Sequence, residues 1–89
     1  MKQQPNIDPI EQHVIDLIIK LRLSNKLRQC DISKIINVTP SFVGNVENKN
    51  NPAKYNLKHI NMLANYFNLS PKSFMPDKVK STKAFQDRG

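Results

Sequence analysis

The sequence predicts an all-α domain of five short helices, and three observations support this fold class. Apolar residues recur at helical spacing, first in the segment DPIEQHVIDLIIKLRLSN. Three dipeptides, Asp8-Pro9, Thr39-Pro40 and Ser70-Pro71, place a capping residue directly before a proline, which is typical of helix starts. The chain has only two glycines and few alternating β-branched runs, which disfavours a sandwich or barrel. Its 89 residues suffice for one domain with a modest core.

The first predicted helix begins after Asp8. Asp8 is a good N-cap, Pro9 suits the first helical position, and Glu11 completes a capping box. The apolar stripe that we expect to face the core consists of Ile10, Val14, Leu17, Ile18 and Leu21.

A second helix is predicted over residues 28–36 and a third over residues 39–47. Asn37 should end the second helix, since Asn tolerates the left-handed conformation that a C-terminal cap requires. Val38 can then fold back as the accompanying hydrophobic contact. Because so short a connection separates the two helices, the chain must change direction sharply between them.

The third helix can bury little, because only Val43 and Val46 occupy its inner side. Gly44 inside this helix costs about 1 kcal/mol relative to Ala. Close contact with the second helix or with DNA would explain that cost, and the sequence leaves both explanations open. The outward side consists of small or polar residues: Pro40, Ser41, Gly44 and Asn45.

Asn56 is the predicted cap of a fourth helix, and SPKSFM is predicted to form a short fifth helix. The apolar stripe of the fourth helix consists of Leu57, Ile60, Leu63, Ala64 and Phe67. We therefore divide the chain into an N-terminal arm at 1–7, the helix-turn-helix domain at 8–76, and a polar tail at 77–89. We expect the tail to be flexible or to bind a partner, the second alternative being supported by Val79 and Phe85.

The charge balance favours a polyanionic partner. Lys and Arg total 14 against 7 Asp and Glu, which gives a net charge of +7. Nucleic acid and an anionic membrane surface both fit this excess, and so does a basic soluble protein with no anionic partner. A membrane role is disfavoured, since the sequence has neither a spanning segment nor a strongly amphipathic basic helix. With no signal peptide and a single cysteine, Cys30, the chain is expected in the cytoplasm.

The sequence does not suggest an enzyme. His13, Cys30 and His59 are far apart and lack the spacing of metal ligands. There is no glycine-rich phosphate loop and no paired-carboxylate motif. We therefore expect no catalysis, no metal and no cofactor.

Two short helices joined by a tight turn in a basic all-helical domain are the layout of a DNA-binding helix-turn-helix. The major groove of B-DNA admits one α-helix, whose leading turn meets the base edges. Small residues let the backbone approach closely, and the amide of Asn45 can pair bidentately with adenine. The third helix is therefore the predicted reading helix.

Residues 14–76 resemble the Cro/phage-repressor type of helix-turn-helix domain, found in the Xre-like transcriptional regulators. The matching segments are LRLSNKLRQCDISKIINVTPSFVGNVENKNNP and LKHINMLANYFNLSP. KYNLKHINMLANYF followed by SPKSFMP also resembles the small Xre-like regulators common in Bacteroidetes-type bacteria. Positions that agree with the family pattern are Leu27, Gln29, Ile32, Val38, Val43, Glu47 and Pro52. The resemblance implies a five-helix lambda-repressor-like fold that binds double-stranded DNA, usually as a homodimer on a partly palindromic operator.

The resemblance also implies roles for individual residues. Base-reading positions would be Pro40, Ser41, Phe42 and Asn45. Phe42 is equally suited to contacting a thymine methyl and to completing the core. Candidates for phosphate contact, by position or by charge, are Arg28, Gln29, Thr39, Asn48, Lys49, Asn50 and Lys54. The charges of Arg28, Lys49 and Lys54 fit ordinary surface positions as well. Glu47 is expected to be structural, with Arg22 as its ion-pair partner.

Four positions depart from the family pattern. Arg28 stands where a Ser cap is common, Ser33 where a small Ala is customary, Asn37 where a turn Gly occurs, and Lys49 where a loop Gly occurs. Pro40 and Ser41 are also weaker base readers than Gln or Arg, so site preference should depend on Asn45, Phe42 and DNA shape. The sequence therefore predicts a small bacterial or phage-type transcription regulator such as a repressor. The alternative is an antitoxin-like module whose residues 77–89 bind a toxin.

Overall fold

The computed structural model describes residues 7–81, and this part of the chain contains helices and turns but no strand. The elements are α1 (Pro9–Ser24), α2 (Gln29–Ile35), α3 (Phe42–Glu47), α4 (Leu57–Phe67) and a single-turn 3-10 helix at Pro71–Phe74. The all-α class is thus confirmed for the described residues. The expected fifth helix is this 3-10 turn, so the described chain has four α-helices and not five. Nearly all of the predicted arm and most of the predicted tail, including Phe85, lie outside the described residues.

Asp8 and Asn56 cap the two longest helices, as predicted, and the reciprocal bond between Asn56 and His59 was not predicted from the sequence. The Asp8 amide donates to Glu11 Oε1 over 2.9 Å at the start of α1. At the start of α4, Asn56 Oδ1 accepts from the backbone N–H of His59 over 2.8 Å. The backbone N–H of Asn56 donates to His59 Nδ1 over 3.2 Å. Each bond satisfies an amide that has no partner within its helix.

The turn after α2 also forms as predicted. Asn37 adopts the left-handed conformation with φ of 59°. The Val38 amide donates to the Ser33 carbonyl over 3.0 Å, which is the closing bond of a left-handed helix cap. Half-buried Val38 packs against the core beside it. The chain therefore turns sharply before α3.

The start of α3 corrects the sequence prediction, because α3 begins at Phe42 and not at Thr39. The Phe42 amide donates to the Thr39 carbonyl over 3.0 Å, which closes a four-residue turn. Pro40 lies at the second position of this turn, which its fixed φ favours. The first bond of helical spacing in this region joins the Asn45 amide to the Ser41 carbonyl over 3.0 Å.

A buried serine on α2 supports this turn. Ser33 is 0% exposed; its hydroxyl donates to the Pro40 carbonyl over 3.3 Å and accepts from the Val43 amide over 3.4 Å. Because Ser41 makes no side-chain cap bond, Ser33 supplies from α2 the acceptor that the first turn of α3 needs. The side chain at 33 therefore couples the two short helices.

The core lies between the four α-helices and the 3-10 turn. Val43 is 0% exposed and Val46 is 4% exposed, so the predicted inner side of α3 is confirmed. The largest side chains that are fully buried belong to Phe74, Ile18, Ile32, Leu63 and Val43.

A bidentate ion pair joins the end of α1 to the end of α3, as the sequence predicted. Arg22 Nε donates to Glu47 Oε2 over 2.9 Å, and Arg22 Nη2 donates to Glu47 Oε1 over 2.8 Å. The side chains are only 13% and 8% exposed. Arg22 Nη1 also donates to the Leu27 carbonyl over 3.1 Å, so the same guanidinium holds the turn before α2.

Replacing Glu47 with Gln is expected to lower the free energy of unfolding by about 3 kcal/mol, because Arg22 is then mostly buried without a counter-charge. The double variant Arg22→Met/Glu47→Leu should lose less unfolding free energy than Arg22→Met and Glu47→Leu lose in sum, since it leaves neither charge without a partner. Urea unfolding followed by circular dichroism measures all of these changes.

Arg28→Met is the matched control, because it removes an ion pair whose arginine side chain is 74% exposed. That change should cost at most about 1 kcal/mol. Equal losses from Glu47→Gln and Arg28→Met would contradict a structural role for the buried pair.

Candidate nucleic-acid interface

The predicted reading surface is built from α2, the following turn and α3, which pack directly on each other. Pro40, Ser41 and Asn45 are exposed. The Asn45 side chain makes no hydrogen bond within the described part of the chain, so its amide is available to a ligand. Together with the buried valines, this gives α3 one side in the core and one side in solvent.

Phe42 is half-buried and belongs to an aromatic cluster. Its ring makes edge contacts with Tyr55 and His59, at centroid distances of 6.2 Å and 5.3 Å. Tyr55 and His59 also contact each other, at 6.2 Å. Because the cluster joins α3, the loop after it and α4, it fixes the first turn of α3 on the domain. These contacts support the packing role of Phe42, and contact with a thymine methyl stays a prediction.

The ionisation of this aromatic cluster follows from its burial. Burial, helped by the charge of Lys58, lowers the pKa of His59, whose Nδ1 already accepts a hydrogen bond from Asn56. The stability gained from the neutral ring is therefore present above the usual histidine pKa and is lost as the pH falls below it. Burial, and secondarily the charge of Glu47, raises the pKa of Tyr55, so that ring is neutral as well.

Gln29, at the start of α2, contacts α3. Its Nε2 donates to Glu47 Oε1 over 2.9 Å. A Cβ atom added at Gly44 would lie 3.2 Å from Gln29 Oε1. Close contact with α2, one of the two explanations that the sequence left open, is thus present at Gly44. The Gln29 amide carries a second N–H, which its bond to Glu47 leaves for a phosphate.

Two of the three candidate cations are held by acidic residues. Arg28 Nη2 lies 3.0 Å from Asp31 Oδ1, and the bonds from the Arg28 guanidinium and amide hold the pKa of Asp31 at about 2. Lys54 Nζ lies 3.0 Å from Glu11 Oε2. Lys49 is exposed and forms no ion pair within the described residues. Lys49 is therefore the cation that a phosphate could bind without competition from an acidic side chain.

Neither of these ion pairs was predicted from the sequence. Asp31 three residues after Arg28 is the spacing of a helical ion pair and could have revealed the first. Glu11 and Lys54 are separated by 43 residues, and no local pattern predicts their contact.

Hydrogen bonds from backbone amides to two asparagine side chains stabilise the loop after α3. Asn48 Oδ1 accepts from the Asn50 amide over 2.9 Å, and Asn51 Oδ1 accepts from the Ala53 amide over 2.9 Å. Lys49 does not require the left-handed conformation, since among the described non-glycine residues positive φ occurs only at 26, 37 and 68. Lysine at position 49 therefore causes no backbone strain. Thr39, Asn48, Lys49 and Asn50 are all exposed.

Comparisons with protein-family models, curated proteins and solved structures find no match to this chain. The resemblance to Cro/phage-repressor domains is therefore supported by no comparison and remains a prediction from the sequence. Within the described residues, no helix is long and apolar enough to cross a membrane. The same part of the chain has no cluster of three His, Cys, Asp or Glu residues suited to a metal ion.

The contact between Gln29 and Gly44 predicts a coupling between the two positions. In a Gln29→Ala background, Gly44→Ala should stabilise the domain by about 1 kcal/mol through helix propensity. With Gln29 present, the added methyl group displaces the side chain that bonds Glu47, so the gain should be smaller or reversed. A double-mutant cycle measured by urea unfolding tests this, and equal effects of Gly44→Ala in both backgrounds would contradict it.

Proposed function

We propose that this protein is a small bacterial or phage-type transcription regulator that binds double-stranded DNA sequence-specifically. In this proposal α2 and α3 act as a helix-turn-helix, and α3 enters the major groove. The observation that carries the proposal is the two-sided construction of α3. Val43 and Val46 are 0% and 4% exposed, whereas Asn45 on the other side of α3 is exposed, and so are Pro40 and Ser41 in the turn before it. All three are small enough for close approach to DNA.

Base recognition is assigned chiefly to Asn45. The NH2 group of its side chain can donate to N7 of adenine, and its Oδ1 can accept from the N6 amino group. This is the bidentate geometry typical of Asn. Pro40 and Ser41 would lie closest to the base edges but carry few hydrogen-bonding groups. Phe42 is half-buried in its aromatic cluster, and the exposed part of its side chain would contact a thymine methyl.

Phosphate contacts would supply most of the affinity, as the net charge of +7 suggests. Lys49 is the strongest candidate, because no acidic side chain among residues 7–81 forms an ion pair with it. Arg28 and Lys54 would have to share their charge with Asp31 and Glu11. The polar candidates would contribute neutral hydrogen bonds: Gln29, Thr39, Asn48 and Asn50. Binding of such a protein near a promoter, as a homodimer on a partly palindromic operator, would regulate transcription.

Selection of duplexes from a randomised pool, followed by fluorescence anisotropy, tests this function. An enriched site should bind about 10³-fold or more tighter than random duplex. Asn45→Ala should weaken binding to that site by about 1–3 kcal/mol and relax the preference at one base pair. Lys49→Ala should instead weaken binding to all duplexes and lower the salt slope by about 1.

Asn65→Ala is the matched control, because Asn65 is an exposed asparagine on α4. It should leave both affinity and preference unchanged. Weak binding without sequence preference, or an Asn45→Ala variant identical to Asn65→Ala, would contradict the assignment.

One observation favours the antitoxin-like alternative. Val79, in the tail, is 96% exposed, so its apolar side chain is accessible to a protein partner. Residues 77–89 would then bind a toxin while α3 binds DNA. Deletion of these residues that abolished binding of a toxin partner while sparing DNA binding would favour this alternative.

A further inference from the structure

A histidine occupies the position in the capping box of α4 where Glu or Gln is usual. His59 is the third residue of α4, and its Nδ1 accepts from the backbone N–H of Asn56 over 3.2 Å. Because Nδ1 is the acceptor, the neutral ring carries its proton on Nε2. This capping bond therefore exists only while Nδ1 is unprotonated.

The same imidazole packs against α3 and against the loop before α4. Its ring centroid lies 5.3 Å from that of Phe42, the first residue of α3, and 6.2 Å from that of Tyr55 in the loop. Phe42 and Tyr55 are both half-buried. One side chain thus closes the start of α4 and contacts the first turn of the proposed reading helix.

The surroundings of His59 disfavour a charged ring. On its own helix, Lys58 adds a positive charge, and the first turn of α4 contains no acidic residue. From the loop and from α3, the facing groups are the neutral phenol of Tyr55 and the apolar ring of Phe42. No carboxylate among residues 7–81 forms an ion pair with His59. The positive end of the helix macrodipole also opposes a cation at this position.

Protonation of the ring would therefore remove several favourable interactions at once. The Nδ1 acceptor would become a donor that faces the backbone N–H of Asn56, and a second positive charge would stand beside Lys58. The faces of aromatic rings attract cations, but burial and the charge of Lys58 outweigh this attraction and lower the pKa of His59. The contribution of the neutral ring is complete above the ordinary histidine pKa of about 6.5 and is lost as the pH falls through the lower pKa of the folded state.

We propose that His59 is a pH-sensitive switch whose protonation releases the start of α4 and, through Phe42, the first turn of α3. Mild acid then loosens the reading surface while the core stays folded, because no histidine is among the buried residues of 7–81. The structural switch is independent of the proposed function, and only its effect on DNA binding rests on that function.

An NMR titration between about pH 7.5 and about pH 5 tests the switch without DNA. The ring signals of His59 should titrate with a midpoint below about 6.5, and the amide signals of Asn56, Phe42 and Val43 should shift with the same midpoint. A midpoint at or above the ordinary value would overturn the proposal. So would a titration that moves the Asn56 signal but not those of Phe42 and Val43.

His59→Gln is the matched variant, because Gln at this position keeps an acceptor for the Asn56 N–H but does not titrate. Its amide signals at positions 42, 43 and 56 should change little over the same pH range. His13→Gln removes the other histidine of the chain, on α1, and should leave these titrations as they are in the unchanged protein. Titrations that persist in His59→Gln would contradict the assignment to His59.

Fluorescence anisotropy with a selected duplex separates this inference from the proposed function. Between about pH 7.5 and about pH 5, the unchanged protein should lose about 5-fold in affinity relative to His59→Gln, which corrects for other pH effects on DNA binding. If the amides titrate but no duplex is selected, the switch stands and the regulator function fails. If a duplex is selected and both proteins show the same pH dependence, the regulator function stands and control of the reading surface by His59 fails.

Discussion

The ion pair between Arg22 and Glu47 fixes the positions of the two short helices, α2 and α3, on the domain. One guanidinium bonds both carboxylate oxygens of Glu47 and also the Leu27 carbonyl, and the same carboxylate accepts from Gln29. The end of α1, the turn before α2, the start of α2 and the end of α3 therefore meet at one partly buried polar network. Removing two charges from water offsets much of their attraction, so the network contributes orientation more than net stability.

Contacts from neighbouring elements are needed to position α3, because this helix is short and buries only two valines. Ser33 adds a second link from α2, and the ring cluster of Phe42, Tyr55 and His59 adds a third from α4. Each link contacts the inner side or an end of α3. The outer side is thereby held in place without being covered, which is the arrangement that a reading helix requires.

Features that depend on neighbouring residues were predictable from the sequence. The caps at Asp8, Asn37 and Asn56 follow from local backbone chemistry, and the burial of Val43 follows from helical spacing. Features that depend on packing were not predictable. The start of α3 depends on the tertiary bond from Ser33, and the Gly44 contact depends on where Gln29 lies. The roles of Pro40, Ser41 and Asn45 remain predictions, because base contacts depend on a DNA sequence that the chain does not encode.

The most direct test of the central claim, that the outer side of α2 and α3 binds DNA, is an amide NMR titration with a selected duplex. The largest chemical-shift changes should fall at residues 28–29 and 39–50, with small changes in the middle of α4. Such a result would identify the surface independently of any substitution. Changes confined to residues 77–89 would contradict the claim.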